Sequence, residues 1–228
     1  MMALRPQHHQ DQSGQTLAKL FDVPVSIGVT APRHPQPALA PSEWPAVKNA
    51  LPKRRSEFAA GRAAARRALD AVGRGRCAIP AQTDGAPIWP PGISGSISHT
   101  SYLCIAGVTE AFASIGLDVE GNEDLDAELI PIICGKDELY CYDPGTHGRW
   151  AKVIFSVKEA VFKAQYPLTG QLIGFDHLSV SLDTNGDGFT ATFIKPAGRF
   201  LEGSQIGGRF RYWADHVVCA AEIPLSGD

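Results

Sequence analysis

From Pro52 to Val72 the chain is rich in alanine and arginine, with apolar positions at helical spacing and no internal proline. That predicts a helix with proline in its first turn and Gly73 just past its end. A second helix is predicted over Arg149 to Tyr166, where Ala151, Phe155, Phe162 and Tyr166 fall on one face and Pro167 is expected to end it. Leu178, Val180 and Leu182 alternate with serines, an Asn185-Gly186 turn follows, and Phe189, Ala191 and Phe193 alternate again, the pattern of a hairpin. Arg209 to Ile223 reads as one final strand. Between the two helices, the apolar run Tyr102 to Val108 and the segment Phe112 to Glu120 read as paired strands, and Leu125 to Leu139 as a short helical region. Residues 1 to 41 are polar and then rich in proline (Pro24, Pro32, Pro35, Pro37, Pro41). They predict an irregular arm, mobile over its first dozen residues, around a short strand from Val23 to Val29. A long helix followed by strands occurs in both halves, which suggests duplication without a repeat at the level of residues.

Composition narrows the class. The 228 residues, 44% hydrophobic and 20% charged, suit one large or two small globular domains. With 21 Lys and Arg against 24 Asp and Glu, the formal charge of −3 offers no general field for nucleic acid, so phosphate recognition must be local. No apolar run approaches the roughly 20 residues of a membrane span, and the start lacks a signal-peptide core, which reads as cytoplasmic. Five scattered cysteines with no C-x-x-C read as reduced, buried thiols, and seven dispersed histidines show no zinc-ligand spacing. Asp183 to Gly188 matches the start of an EF-hand loop, but position 12 is Ile194 and the flanks alternate as strands, so a hairpin turn is expected there. There is no Walker-type phosphate loop and no G-x-S-x-G elbow.

Four clusters have chemistry to offer. In Ile115-Gly116-Leu117-Asp118-Val119-Glu120, two carboxylates at i and i+2 of a strand share one face, about 7 Å apart. Such an oxygen pair suits a hard cation such as Mg²⁺, or equally a solvated strand face. In Phe155 to Lys163, Glu159 and Lys163 lie one turn apart beside an apolar stripe. Alone they would be a surface ion pair, but next to a strand carboxylate Glu159 would complete a metal site, with Lys158 and Lys163 available to phosphate oxygens. On the first helix Arg55, Arg62 and Arg66 form a row beside the apolar face, suited to oxyanions or to solvent. Gly95-Ser96-Ile97-Ser98-His99-Thr100-Ser101 reads as a small-residue turn, rich in hydroxyls and N–H groups able to hold phosphate.

Taken in order, these segments resemble the 4'-phosphopantetheinyl transferases, specifically the single-chain bacterial group typified by the surfactin and enterobactin enzymes. The resemblance runs over roughly Trp44 to Val180 and rests on KRRSEFAAGRAAARRAL, APIWP (Ala86 to Pro90), GSISH (Gly95 to His99), GLDVE (Gly116 to Glu120), FSVKEAVFKA (Phe155 to Ala164) and YPL (Tyr166 to Leu168). It implies an α+β fold of two similar halves related by a pseudo-twofold, residues 1–115 and 116–228, with the active site between them. It further implies that Asp118, Glu120 and Glu159 hold Mg²⁺, or Mn²⁺, against the pyrophosphate of coenzyme A. Lys158 and Lys163 would neutralise phosphate charge, with Lys163 facing the departing 3',5'-ADP. Ser98 and His99 would contact phosphate, and Arg54 and Arg62 would grip the 3'-phosphate, where the helical row itself singles out Arg55 and Arg66.

The reaction so implied moves 4'-phosphopantetheine from coenzyme A to a serine of an apo acyl, peptidyl or aryl carrier protein, as in siderophore or secondary-metabolite assembly. Positioning and charge stabilisation dominate such chemistry. Either Glu159 or a metal-bound water would take the serine proton. The expected molecule is a monomer that binds coenzyme A and a carrier but no nucleic acid. Relatives commonly carry Lys or Arg just before the A/E-P-x-W-P motif, where this chain has Asp84-Gly85, with Lys48 or Lys53 as substitutes. The competing readings are a metal-dependent phosphodiester hydrolase and a non-catalytic module that binds coenzyme A or a carrier.

Overall fold

The computed structural model describes residues 6–183 and 186–225. The chain divides into two compact units, Met1–Ala111 and Phe112–Asp228. In the first unit, β1 (Ser26–Thr30), β2 (Ser94–His99) and β3 (Cys104–Thr109) form an antiparallel sheet in the order β1-β3-β2. Helix α2 (Pro52–Ala71) lies across this sheet, and its small side chains Ala64, Ala65 and Ala68 with Leu69 form a core with Ile79, Ile93, Ala106 and Val108. Gly28 makes the close approach possible: a Cβ there would strike the Ala64 carbonyl and come within 3.1 Å of the Ala68 nitrogen. Burial of the apolar face, at about 25 cal/mol per Å², holds the helix on the sheet.

The expected irregular arm is instead helical from Pro6, as α1 (Pro6–Ala18). The mobility expected of the first residues falls, for 1–5, outside the described residues. Polar composition concealed this helix because its anchors lie at its end: Leu17, Leu20 and Phe21 are buried, and Gly14 sits where a Cβ would stand 2.5 Å from the Ile27 carbonyl oxygen. The segment Gly95 to Ser101 is also not a turn. Most of it is strand β2, and the reversal comes at Thr100, whose N–H donates to the Leu103 carbonyl at 2.8 Å. Gly95 serves close packing, since a Cβ there would lie 2.7 Å from the Trp89 ring.

In the second unit, β4 (Phe112–Gly121), β5 (Leu178–Leu182), β6 (Gly188–Phe193), β7 (Gln205–Trp213) and β8 (His216–Pro224) form an antiparallel sheet ordered β4-β8-β7-β6-β5. β3 and β4 are therefore not partners: β4 pairs with β8, with Asp118 opposite Cys219 and Glu120 opposite Val217. Local alternation identifies a strand but carries no information on a partner a hundred residues away. The single strand expected at Arg209 to Ile223 is the β7-β8 hairpin, turning at Ala214 and Asp215 with φ of 48° and 59°. Both residues adopt the left-handed conformation that a two-residue hairpin turn needs, without the glycine that would have marked it in sequence. The β5-β6 hairpin forms with the expected alternation, and the part of its turn at Asn185 lies outside the described residues.

Helix α4 (His147–Thr169) packs on β4 and runs through Pro167 to a left-handed cap at Gly170, φ 65°. Pro167 sits in the last turn, where few bonds remain to be lost. There the buried Gln165 takes a bond from Thr169 Oγ1 and donates to the Gln171 carbonyl, holding the turn together. The buried face of α4 carries Ile154, Val157, Ala160, Val161 and Ala164, while Phe155, Phe162 and Tyr166 are half-buried at its edge. The reason is again a glycine. A Cβ on Gly116 would strike the Ala160 carbonyl and lie 2.8 Å from the Ala164 nitrogen, so no aromatic fits between helix and strand. The expected helical region before α4 reduces to one turn, α3 (Ile130–Ile133).

Gly28 with Gly116, and Ala64 and Ala68 with Ala160 and Ala164, give a correspondence between the two units at their helix–strand contacts. Ser26-Ile27-Gly28-Val29-Thr30 corresponds to Ser114-Ile115-Gly116-Leu117-Asp118. Each unit also buries a glutamate tied to its helix. Glu43 accepts from the Ala40 and Ile79 N–H groups, each at 2.8 Å, and pairs with Arg66. Glu138 accepts from the Gly135 and Val180 N–H groups and pairs with Lys158 at 2.8 Å.

Candidate active site

Strand β4 and helix α4 bring together Asp118, Glu120, Ser156, Glu159 and Lys163. Asp118 is 2% exposed, and both of its oxygens are held: Lys163 Nζ donates to Oδ1 at 2.6 Å and Ser156 Oγ to Oδ2 at 2.8 Å. Burial pushes the Glu120 carboxyl up to about 7; the Asp118 charge and, more weakly, Glu159 add to this against the opposing pull of Lys152 and Lys163. Burial likewise raises Glu159, opposed by Lys163 and reinforced by Asp118. The three carboxylates are thus within electrostatic reach of one another and penalised for being charged together. Such an oxygen-only set suits a hard divalent cation, which would offset the repulsion. As they stand, no group of three His, Cys, Asp or Glu among the described residues is gathered closely enough to ligate one ion. Beside Glu159, Phe162, Leu172, Ile173, Phe175 and Leu178 line a groove of about 150 Å³.

Lys158 does not join this group. Its ammonium, 2% exposed, donates to the Ile133 carbonyl at 2.8 Å, the Phe175 carbonyl at 3.1 Å and Glu138 at 2.8 Å. Three acceptors use the three hydrogens, which corrects the expectation that Lys158 is available to phosphate. The i, i+5 interval from Lys158 to Lys163 turns the two lysines to different sides of the helix, and only Lys163 reaches Asp118.

In the first unit, Arg54 and His99 come together, Nη1 to Nε2 at 2.6 Å, with Glu57 at 3.8 Å from Arg54 and 4.0 Å from His99. Ser98, the neighbour of His99 on β2, is buried. Arg62 is 5% exposed, stacked 4.0 Å over the Phe58 ring, and its Nε donates to the Ile79 carbonyl at 2.8 Å. Burial lowers its guanidinium to about 10, against the attraction of Glu43, and its Nη2 has no partner. The row read from the helical wheel is otherwise occupied: Arg55 donates to the Val47 and Lys48 carbonyls, and Arg66 is paired with Glu43. Of the two rival arginine sets, the one implied by resemblance includes the residue that stands beside His99. At Gly85, φ is 93° in a turn closed by its N–H on the Gln82 carbonyl, a conformation that disfavours any residue with a side chain, a basic one included.

All five cysteines are free. Cys104 and Cys219 are buried as expected and Cys77 and Cys134 are half-buried, but Cys141 is exposed. No helix of the described residues is long and apolar enough to cross a membrane.

Residues 42–109 match the 4'-phosphopantetheinyl transferase N-terminal domain, and residues 114–221 match the 4'-phosphopantetheinyl transferase superfamily. The 4'-phosphopantetheinyl transferase Svp of Streptomyces mobaraensis is 36% identical over 205 residues, 85% of this chain and 82% of that protein. The 4'-phosphopantetheinyl transferase PptT of Mycobacterium tuberculosis is 30% identical over 174 residues, covering 74% and 75% of the two chains. Enterobactin synthase component D of Salmonella typhi is 33% identical over 140 residues, 59% and 58% of the two chains. The chain belongs to the 4'-phosphopantetheinyl transferases, enzymes that use coenzyme A to attach phosphopantetheine to carrier proteins.

Proposed function

We propose that this enzyme performs the transfer with Mg²⁺ held by Asp118, Glu120 and Glu159, releasing 3',5'-ADP. The observation that carries this reading is the oxygen-only cluster on β4 and α4, in which burial and mutual repulsion raise two carboxylates while Lys163 stands at the third. A bound divalent ion would neutralise pyrophosphate charge there. Lys163, paired with Asp118, is the cation we assign to meet negative charge as the phosphate–phosphate bridge breaks. The proton of the attacking serine goes to Glu159, whose carboxylate lies beside Asp118 and Lys163, or to a water held at the cluster. The new bond joins the carrier serine oxygen to the β-phosphorus, and the bond from that phosphorus to the bridging oxygen breaks.

In the first unit, we assign Arg54 and His99, which stand together, to the 3'-phosphate of coenzyme A, with Ser98 and Arg62 on the same strand and helix supporting them. Carrier proteins of acyl, peptidyl or aryl type supply the serine. We read the single chain, with a unit for each task, as a cytoplasmic monomer. The test is intact-mass spectrometry of apo carriers incubated with enzyme, coenzyme A and Mg²⁺. The expected result is the gain of one phosphopantetheine, abolished in Glu159→Ala and by chelation. Hydrolysis of coenzyme A with no mass gain on any carrier would overturn the reading in favour of a phosphodiesterase.

A further inference from the structure

We propose that Ser156 is a positioning residue that holds Asp118 in the orientation needed to bind the cation. The inference rests on the metal reading above. Ser156 is fully buried on α4, with the buried Val153 one turn before it and Ala160 one turn after. A hydroxyl in such a place is a cost unless it is bonded. Its Oγ donates to Asp118 Oδ2 at 2.8 Å, while Lys163 occupies Oδ1 at 2.6 Å. The two donors differ in what a ligand can displace. Lys163 is a flexible, one-quarter exposed side chain able to turn toward a phosphate, whereas Ser156 is fixed by the helix that carries it. When Lys163 turns away, Oδ1 gives up its bond to the ammonium while Ser156 keeps Oδ2 engaged.

The two units provide an independent comparison. In the correspondence set by the two glycines, Thr30 stands where Asp118 does and Ala60 where Ser156 does. The first unit has no carboxylate at that strand position and no hydroxyl at the matching helix position, Ala60, to orient one. Thr30 Oγ1 instead donates to the Ala60 carbonyl at 2.7 Å. Serine and aspartate are present together in one unit and absent together from the other, as expected if the first serves the second. Hydrogen bonds that orient a metal ligand are worth about 10- to 100-fold in metal affinity.

The experiment compares Mn²⁺ binding, read as free Mn²⁺ by electron paramagnetic resonance, in the wild type, Ser156→Ala, Ser156→Cys and Val157→Ala. Ser156→Ala is expected to weaken Mn²⁺ binding about 10- to 100-fold, with Ser156→Cys, a poorer donor, in between. Val157→Ala, the next residue on the helix and equally buried, should lower thermal stability while leaving the Mn²⁺ constant unchanged. Equal Mn²⁺ affinity in wild type and Ser156→Ala overturns the role of Ser156 and leaves the metal site intact. Should Ser156→Ala fail to fold, wild-type affinity in Ser156→Cys overturns it equally. No Mn²⁺ binding by the wild type would bring down the metal reading itself, and this proposal with it.

Discussion

Replacing Lys158 by methionine separates a structural lysine from a phosphate-binding one. Methionine approximates the length of the stem but removes the ammonium, leaving Glu138, whose side chain is 3% exposed, as a buried charge held only by the Gly135 and Val180 N–H groups. Breaking a buried pair in this way costs about 3–5 kcal/mol. At roughly 2–4 °C per kcal/mol for a chain of this size, the melting temperature should fall by roughly 6–20 °C. The double variant Glu138→Gln, Lys158→Met removes the stranded charge. It still leaves the Ile133 and Phe175 carbonyls without their donor, at about 1–3 kcal/mol for each buried group. The double variant should nevertheless be more stable than Lys158→Met alone, a coupling of about 1–3 kcal/mol. Thermal and urea denaturation of the four proteins in the cycle measure this, with the KM for coenzyme A as a second readout. The KM of the folded double variant should stay near the wild-type value. The reasoning fails if the single and double variants are equally stable, or if Lys158→Met melts normally while its KM for coenzyme A rises tenfold or more.

Two other predictions follow from the same packing and charges. Gly116→Ala puts a methyl against the Ala160 carbonyl and 2.8 Å from the Ala164 nitrogen, so α4 must move off β4. It should lower stability by about 1–3 kcal/mol and kcat more than the KM for coenzyme A, because Glu159 and Lys163 move with the helix; full activity at wild-type stability would refute the close-packing argument. Glu120 binds its proton more tightly folded, at about 7, than its ordinary value of 4.5. Below 4.5 both states are protonated; as pH rises toward 7 the unfolded chain gives up this proton first, so this group's contribution to stability declines across that window and is level above it. Since Mg²⁺ requires the ionised carboxylate, the rise in melting temperature on adding Mg²⁺ should be larger at about pH 8 than at about pH 5.5. Equal increments at the two pH values would contradict this.

Much of the proposed site was legible in the chain because its chemistry is local. Asp118 and Glu120 share a face through the two-residue period of a strand, and Glu159 and Lys163 through one helical turn. The same local reading erred at Lys158, which looks like a second phosphate ligand until Glu138, twenty residues earlier, is found to have claimed it. It could not choose between Arg54 and Arg55, because adjacent arginines differ only in what lies opposite them, His99 for one and the Val47 and Lys48 carbonyls for the other.

The sequence by itself determined the two long helices, the alternating hairpin, the order of the acidic and basic motifs and the family they define, since periodicity and motif spacing are properties of neighbours in the chain. Tertiary structure alone decided that β4 pairs with β8 and not β3, that Gly28 and Gly116 bring a helix down onto each sheet, and that Ser156 meets Asp118. Those contacts join residues tens of positions apart, and which of many compatible polar groups becomes a partner is settled only when packing brings their backbones to within hydrogen-bonding distance.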